Sequence, residues 1–191
     1  PQIAAALRMA KRAGLRIPVV YNTGSYERVE TIRLLEGLVD IYLPDLKYWS
    51  PESAERYSHA PDYFETASEA IAEMVRQAPE AIFEEREDGT VLMKRGVIVR
   101  HLMLPGLGMD SRKVLRYLHE TYGNRIYISI MNQYTPMRNF ESFPELNRRV
   151  GRKAYERLVD FAIRIGIENG FIQEGGTAEE SFVPLWDGTG L

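Results

Sequence analysis

Four short apolar runs, each closing in a polar cluster, set the pattern of this chain. Ile17-Pro18-Val19-Val20-Tyr21 leads into Asn22-Thr23-Gly24, and Val39-Asp40-Ile41-Tyr42-Leu43-Pro44 leads into Asp45-Leu46-Lys47. Val97-Ile98-Val99 leads into Arg100-His101, and Ile126-Tyr127-Ile128-Ser129-Ile130-Met131 into Asn132-Gln133-Tyr134. Segments of helical periodicity separate the runs. Buried parallel strands read as near-continuous β-branched runs because both faces are covered, so the runs predict parallel strands packed on both sides. Polar groups collected at the carboxyl ends of such strands form the working face of an α/β barrel or open sheet. The expected fold class is therefore α/β, a partial (β/α) barrel of mostly parallel strands, in a single domain over 1–191.

The helical intervals can be read in more detail. Ile3, Leu7 and Ala10 share one face of an opening helix. Ser25 stands where it could cap a helix over 26–37, with Val29 and Ile32 turned inward. Ser50-Pro51-Glu52 combines a capping hydroxyl, a proline in the first turn and an acid near the positive end of the helix dipole. Phe64, Ala67, Ile71 and Met74 recur at helical spacing, as do Val114, Leu115 and Leu118 behind a candidate cap at Asp110. Ala154, Leu158, Phe161 and Ile165 mark a last long helix. Between them the pattern breaks, where Asp88-Gly89 sits between two β-prone arms. This predicts a hairpin near 82–94 outside the parallel repeat. Phe171-Ile172-Gln173 reads as a short final strand, and Trp186 in the tail is expected to dock on the body.

Composition narrows the function classes. With 191 residues, 45% of them hydrophobic and 27% charged, the chain is long enough for a sizeable core. A net charge of −3 gives no electrostatic reason for nucleic acid or an anionic membrane as partner. No apolar stretch approaches the roughly 20 residues that span a bilayer and no signal-peptide pattern is present, so the expected location is the cytoplasm. Cysteine is absent, which excludes disulfides and thiolate-held zinc or iron–sulfur within this chain. Pro1 opens directly into helical sequence with no capping residue and no initiator methionine. The chain is therefore expected to be a piece of a longer protein. In that case the first strand, near 18–21, would lack a neighbour. It is expected to pair with another copy, be covered by a loop or tail, or promote aggregation.

Four clusters carry candidate chemistry. Residues two apart in a strand point the same way, so Asp45 and Lys47 can reach one ligand, the first accepting and the second donating; they can equally form a surface ion pair. A desolvated Lys47 could form a Schiff base. Alternation sends Arg100 and His101 to opposite sides. Arg100 suits planar, bidentate binding of a carboxylate, or else makes a structural ion pair, while His101 reads as a packing histidine before a catalyst. Asn22 and Thr23 offer amide and hydroxyl at the first strand end, or simply a capped turn. Asn132, Gln133 and Tyr134 suit an adenine or ribose, or simply begin a polar loop. His59 and His119 look incidental. No glycine-rich nucleotide fingerprint, HExxH or GxSxG pattern occurs, and no catalytic residue is assigned.

The ordered set of stretches Pro18-Val19-Val20-Tyr21-Asn22-Thr23-Gly24-Ser25-Tyr26, Val39-Asp40-Ile41-Tyr42-Leu43-Pro44-Asp45-Leu46-Lys47-Tyr48, Val97-Ile98-Val99-Arg100-His101-Leu102-Met103-Leu104-Pro105-Gly106, Glu145-Leu146-Asn147-Arg148-Arg149 and Glu168-Asn169-Gly170-Phe171-Ile172-Gln173 resembles the later half of radical S-adenosylmethionine enzymes. The likeness is to the group of pyruvate formate-lyase-activating-enzyme homologues. It implies a partial barrel holding S-adenosylmethionine across its strand ends, with Asn22, Thr23, Asp45, Lys47 and Arg100 lining the pocket. Arg100 would pair with the methionyl carboxylate or organise its contacts, and Asn132, Gln133 and Tyr134 would lie near the adenosyl moiety. It also implies a protein substrate, an electron donor and a [4Fe–4S] cluster. The family's Cys-x-x-x-Cys-x-x-Cys loop and Gly-Gly-Glu motif are not in this sequence, so the parent is expected to be the enzyme and this piece inactive, with poor cofactor affinity. Two other readings stand beside it: a lysine-dependent lyase or aldolase-type barrel using Lys47, and a non-catalytic ligand-binding domain.

Overall fold

A computed structural model describes residues 2–172. Strands β1 (Val20–Thr23), β2 (Ile41–Pro44), β3 (Ile82–Glu85), β4 (Val91–Leu102), β5 (Tyr127–Met131) and β6 (Gly170–Ile172) alternate with helices α1 (Gln2–Arg12), α2 (Val29–Arg33), α3 (Pro51–Ser58), α4 (Tyr63–Gln77), α5 (Gly108–Tyr122) and α6 (Arg152–Arg164). The strands form one sheet in the order β1-β2-β4-β5-β6, with β3 beside β4. Every pairing is parallel except β3 with β4. This is the expected α/β class, a partial (β/α) barrel, and the antiparallel pair is the hairpin expected near 82–94. Its turn is closed by Gly89, whose amide donates to Arg86 O at 2.9 Å.

The strands are not covered alike on their two faces, which corrects the expectation of strands packed on both sides. Along β2, β4 and β5, Tyr42, Val97, Val99, Ile128 and Ile130 are fully buried and join one core cluster with Ile71 and Met74 of α4, Leu115 and Leu118 of α5 and Leu158 of α6. The alternate residues Leu43, Ile98, Tyr127 and Ser129 are only half-buried, and Val20 and Phe171 are exposed. Among the described residues the helices therefore cover one face and leave the other open. β1 lies at the sheet edge, paired with β2 alone among the named strands. The described part of the chain contains no helix long and apolar enough to cross a membrane.

Several local expectations change. The first strand begins at Val20 rather than Ile17, which is exposed. In α1 Ala4 is buried and Leu7 packs on the core with Ala10 half-buried, as expected for that face, but Ile3 is exposed. α2 is a single short turn of helix with Arg28 at its N-cap, and Ser25 does not cap it. Ser25 instead adopts φ +65° within the β1 turn. Asp110 lies inside the first turn of α5 and accepts from the Trp49 and Ser50 amides, each at 2.8 Å, so it ties the loop before α3 to α5 rather than capping. The Ser50 cap is as expected: its hydroxyl accepts from the Ser53 amide at 3.1 Å, with Pro51 in the first turn. Gln173 and Trp186 lie outside the described residues.

Candidate functional site

The carboxyl ends of β1, β2 and β4 stand side by side, and the ladder runs on past the last residue of β2. Asp45 N donates to Thr23 O and Leu46 N to Arg100 O, each at 2.9 Å, and Asp45 bridges Arg100 in parallel register. Register partners in a sheet present their side chains on the same face, so Asp45 and Arg100 meet on the open side. Arg100 Nε donates to Asp45 Oδ1 at 2.8 Å, and its Nη2 lies 2.6 Å from the same oxygen. Nη2 also donates to Asn22 Oδ1 at 2.7 Å. Lys47 Nζ sits 3.2 Å from Asp45 Oδ2. Asn22, Arg100, Asp45 and Lys47 thus form one connected array across three adjacent strands, with two cations, one carboxylate and one amide.

The backbone around the array is held by a residue that sequence reasoning missed. Tyr63, the buried first residue of α4, accepts from Lys47 N at 3.1 Å, and its hydroxyl lies 3.0 Å from both Gly24 O and Asp45 O, to which it donates. One phenol therefore joins the β1 turn to the β2 turn. Burial raises its pKa, so the proton that makes the donation is retained. Gly24 matters by what it lacks: a Cβ there would lie 3.3 Å from Lys47 Nζ, so glycine lets the ammonium rest against the turn.

Thr23 does not join the array. Being next to Asn22 in the strand it points the other way, where its hydroxyl donates to the Glu27 carboxylate. Tyr21 donates to the same carboxylate, at 2.9 Å to Oε2. Burial, and then the Glu27 hydrogen bond, push the Tyr21 phenol up to about 12. Glu27 and Tyr21 were also missed; the only signal was the four-residue step from Thr23 to Glu27.

Arg100 and His101 do take opposite sides. His101 is buried on the helix face, its Nδ1 2.7 Å from Leu46 O, and burial lowers its pKa. It is a packing residue anchored at Nδ1 by the Leu46 carbonyl, and Nε2 has no partner among the described residues. The residues after β5 make contacts of their own. Gln133 Nε2 approaches Met131 Sδ at 3.8 Å, and Tyr134 donates to Leu146 O at 2.9 Å. Tyr134 thus ties down the loop that follows, and burial raises its pKa. Asn132 begins that loop directly after β5.

The array can bind a ligand that carries both signs of charge. A guanidinium and an ammonium flank one carboxylate, with side-chain exposures of 25%, 39% and 17% in that order. They are shielded enough for charge to matter and open enough to be reached. No described group of three His, Cys, Asp or Glu residues could hold a metal ion.

Comparison with known proteins places the chain beside a curated relative and a solved structure. No family model matches the chain. It is 26% identical over 169 residues to an uncharacterized protein of Methanocaldococcus jannaschii, an alignment covering 88% of this chain. The chain spans 44% of the length of that curated relative. In three dimensions it is similar to a domain of pyruvate-formate lyase-activating enzyme from Bacteroides vulgatus, with a TM-score of 0.60 and 11% identity, over 90% of this chain and 89% of that domain. This second likeness is one of fold.

Proposed function

We propose that this chain is the strand-end, cofactor-lining part of a radical S-adenosylmethionine enzyme, of the kind that activates a glycyl radical protein. The observation that carries the reading is the array of Asn22, Arg100, Asp45 and Lys47 across three strand ends on the open face. The fold likeness to the activating-enzyme domain supports it.

In this reading Asp45 accepts from the ligand's ammonium while Lys47 faces its carboxylate. Arg100 is already engaged by Asp45 and Asn22, so of its two expected roles it takes the organising one: it fixes the carboxylate and the amide in place. Charge-assisted contacts of this kind are stronger than neutral ones, and here two guanidinium nitrogens converge on one carboxylate oxygen. Bound S-adenosylmethionine would supply the 5′-deoxyadenosyl group for hydrogen abstraction. Thr23 has a different task, holding Glu27 behind the β1 turn. A [4Fe–4S] cluster does not fit the residues present, since cysteine is absent and the described residues gather no alternative ligand set. Its ligands, the protein substrate and the electron donor belong in this reading to the whole protein, which acts in the cytoplasm. The Lys47 aldolase reading gains nothing from the geometry: Lys47 is paired with Asp45 and 39% exposed, whereas Schiff-base lysines are desolvated.

The deciding experiment reads the coding sequence upstream of Pro1. A Cys-x-x-x-Cys-x-x-Cys loop followed by Gly-Gly-Glu is expected; a complete reading frame lacking them overturns the proposal. On the chain itself, equilibrium dialysis with S-adenosylmethionine should give weak, roughly millimolar binding, weakened about tenfold further by Arg100→Gln. Equal affinity of the variant would remove Arg100 from the site.

A further inference from the structure

A second cavity region lies beyond the end of β4, on the helix side of the sheet. Two adjoining cavities of ≈ 270 and ≈ 330 Å³ share Met103, Gly106 and Ala154 in their walls. Volumes of this order suit small molecules. Their floor is apolar, but their charged lining is of one sign: Arg112 from α5, Arg157 from α6, and Arg148 and Arg149 from the loop before α6. No acidic residue lines either cavity.

The four cations have no neutralising partners in the described part of the molecule, where none of them forms an ion pair. Asp160 of α6 and Glu120 of α5 line neither cavity and form no ion pair with these arginines, and three nearby carboxylates are engaged by other groups. Asp110 is taken by the Trp49 and Ser50 amides, Glu145 by Arg56 and Tyr57, and Glu156 by Arg152. Arg112 is steadied without loss of charge, since its guanidinium lies over the Phe161 ring at 5.5 Å. Four guanidinium groups drawn from three separate elements around one small space repel each other unless an anion enters. Arginine's planar fork matches phosphate oxygens in pairs. Barrels also favour phosphate groups at the loops beyond their strand ends.

We propose that this groove binds a small ligand through a phosphate group, held by Arg112, Arg148, Arg149 and Arg157, as a site separate from the Asn22–Arg100–Asp45–Lys47 array. The probe is inorganic pyrophosphate, titrated into the chain by calorimetry. Saturable one-to-one binding that weakens with added salt is expected. The double variant Arg112→Ala with Arg157→Ala should lose at least about tenfold in affinity, and Arg100→Gln should leave it unchanged. Because Arg112 packs on Phe161, the exposed loop pair Arg148→Ala with Arg149→Ala provides a second route to the same loss without touching the core. Absence of saturable binding, full retention by both double variants, or loss in Arg100→Gln would each overturn the proposal. So would displacement of pyrophosphate by oligoglutamate at lower concentration, which would make the groove a dock for an acidic peptide.

Discussion

Tyr63 shows how much a single hydroxyl can be asked to hold. Its oxygen meets one amide and two carbonyls drawn from the β1 and β2 turns. Tyr63→Phe keeps the ring and removes those bonds from partly exposed backbone groups. The expected loss is about 0.5–1.5 kcal/mol, read as a lower urea midpoint with an unchanged slope, together with faster hydrogen exchange at the Lys47 amide. Unchanged exchange there would show that the turns do not depend on the phenol. At this scale the array was largely legible. The two-residue step from Asp45 to Lys47 and the opposition of Arg100 to His101 follow from strand alternation alone. The same rule separates Asn22 from Thr23: adjacent residues cannot both face one pocket, and reading the pair as a unit placed Thr23 on the wrong side. Tyr63 and Glu27 were hidden because their partners are met through the turn geometry, which periodicity does not encode.

Among the elements, β4 has the most demanding path. Its first half pairs with β3 and its second with β2 and β5, and the change of partner falls at Gly96, where Ile41 of β2 takes over beside the β3–β4 register shift. Gly96 has φ +146°, and an added Cβ would lie 3.2 Å from the Ala81 backbone and 3.3 Å from Met93 Sδ. Gly96→Ala therefore meets both a disfavoured conformation and a close backbone, and about 1–3 kcal/mol of destabilisation is expected in equilibrium unfolding. Gly89→Ala, with open space around it, should be limited to the conformational part. At α3, Ser50→Ala removes the one capping bond and should cost ~1 kcal/mol; a smaller change would mean that the Asp110 contacts already hold the helix start. The hairpin and the Ser50 cap were legible because Asp88-Gly89 and Ser50-Pro51-Glu52 act locally. The Ser25 and Asp110 caps were misread because both side chains lie near helix starts, yet Ser25 is turned aside at φ +65° and Asp110 is drawn to a loop 60 residues away in sequence.

The molecule as a whole should carry an acid-sensitive stability. Glu73, buried in α4, accepts from Arg76 at 2.9 and 2.7 Å and from Gln77 at 2.8 Å, with Arg33 of α2 at 3.7 Å. Gln77 in turn donates to Ile32 O and accepts from Tyr42 of β2, so one carboxylate knits two helices to the sheet. The Arg76 hydrogen bonds, against the opposing cost of burial, hold the Glu73 carboxyl down at about 2 from an ordinary value of 4.5. A carboxyl depressed in the folded state contributes its stability fully above the unfolded value and loses it as protons bind. The melting temperature should therefore fall as pH drops from about 4.5 toward 2, and Glu73→Gln should flatten that slope while lowering stability at neutral pH. A slope unchanged in the variant would assign the acid response to other carboxyls. Fold class was legible because β-branched runs and helical spacing report the core face directly. That the described helices cover only one sheet face was not, because a run of apolar residues does not tell which of its alternate members a helix reaches.

That one-sided sheet divides each strand between two kinds of obligation. Tyr42, Val97 and Ile128 answer to folding, while Leu43, Ile98 and Ser129, one step along the same backbone, do not touch the helix layer's core. A lineage could therefore trade the second set for new chemistry without first acquiring a spare margin of stability, because the second set stands outside the core cluster. Randomising Leu43, Ile98 and Ser129 together should leave most library members folded, whereas the same diversity at Tyr42, Val97 and Ile128 should leave few, a ratio that a protease-survival screen would count directly. The sheet would then be evolvable on its open face and conservative on the other, with the boundary drawn residue by residue by the pleat.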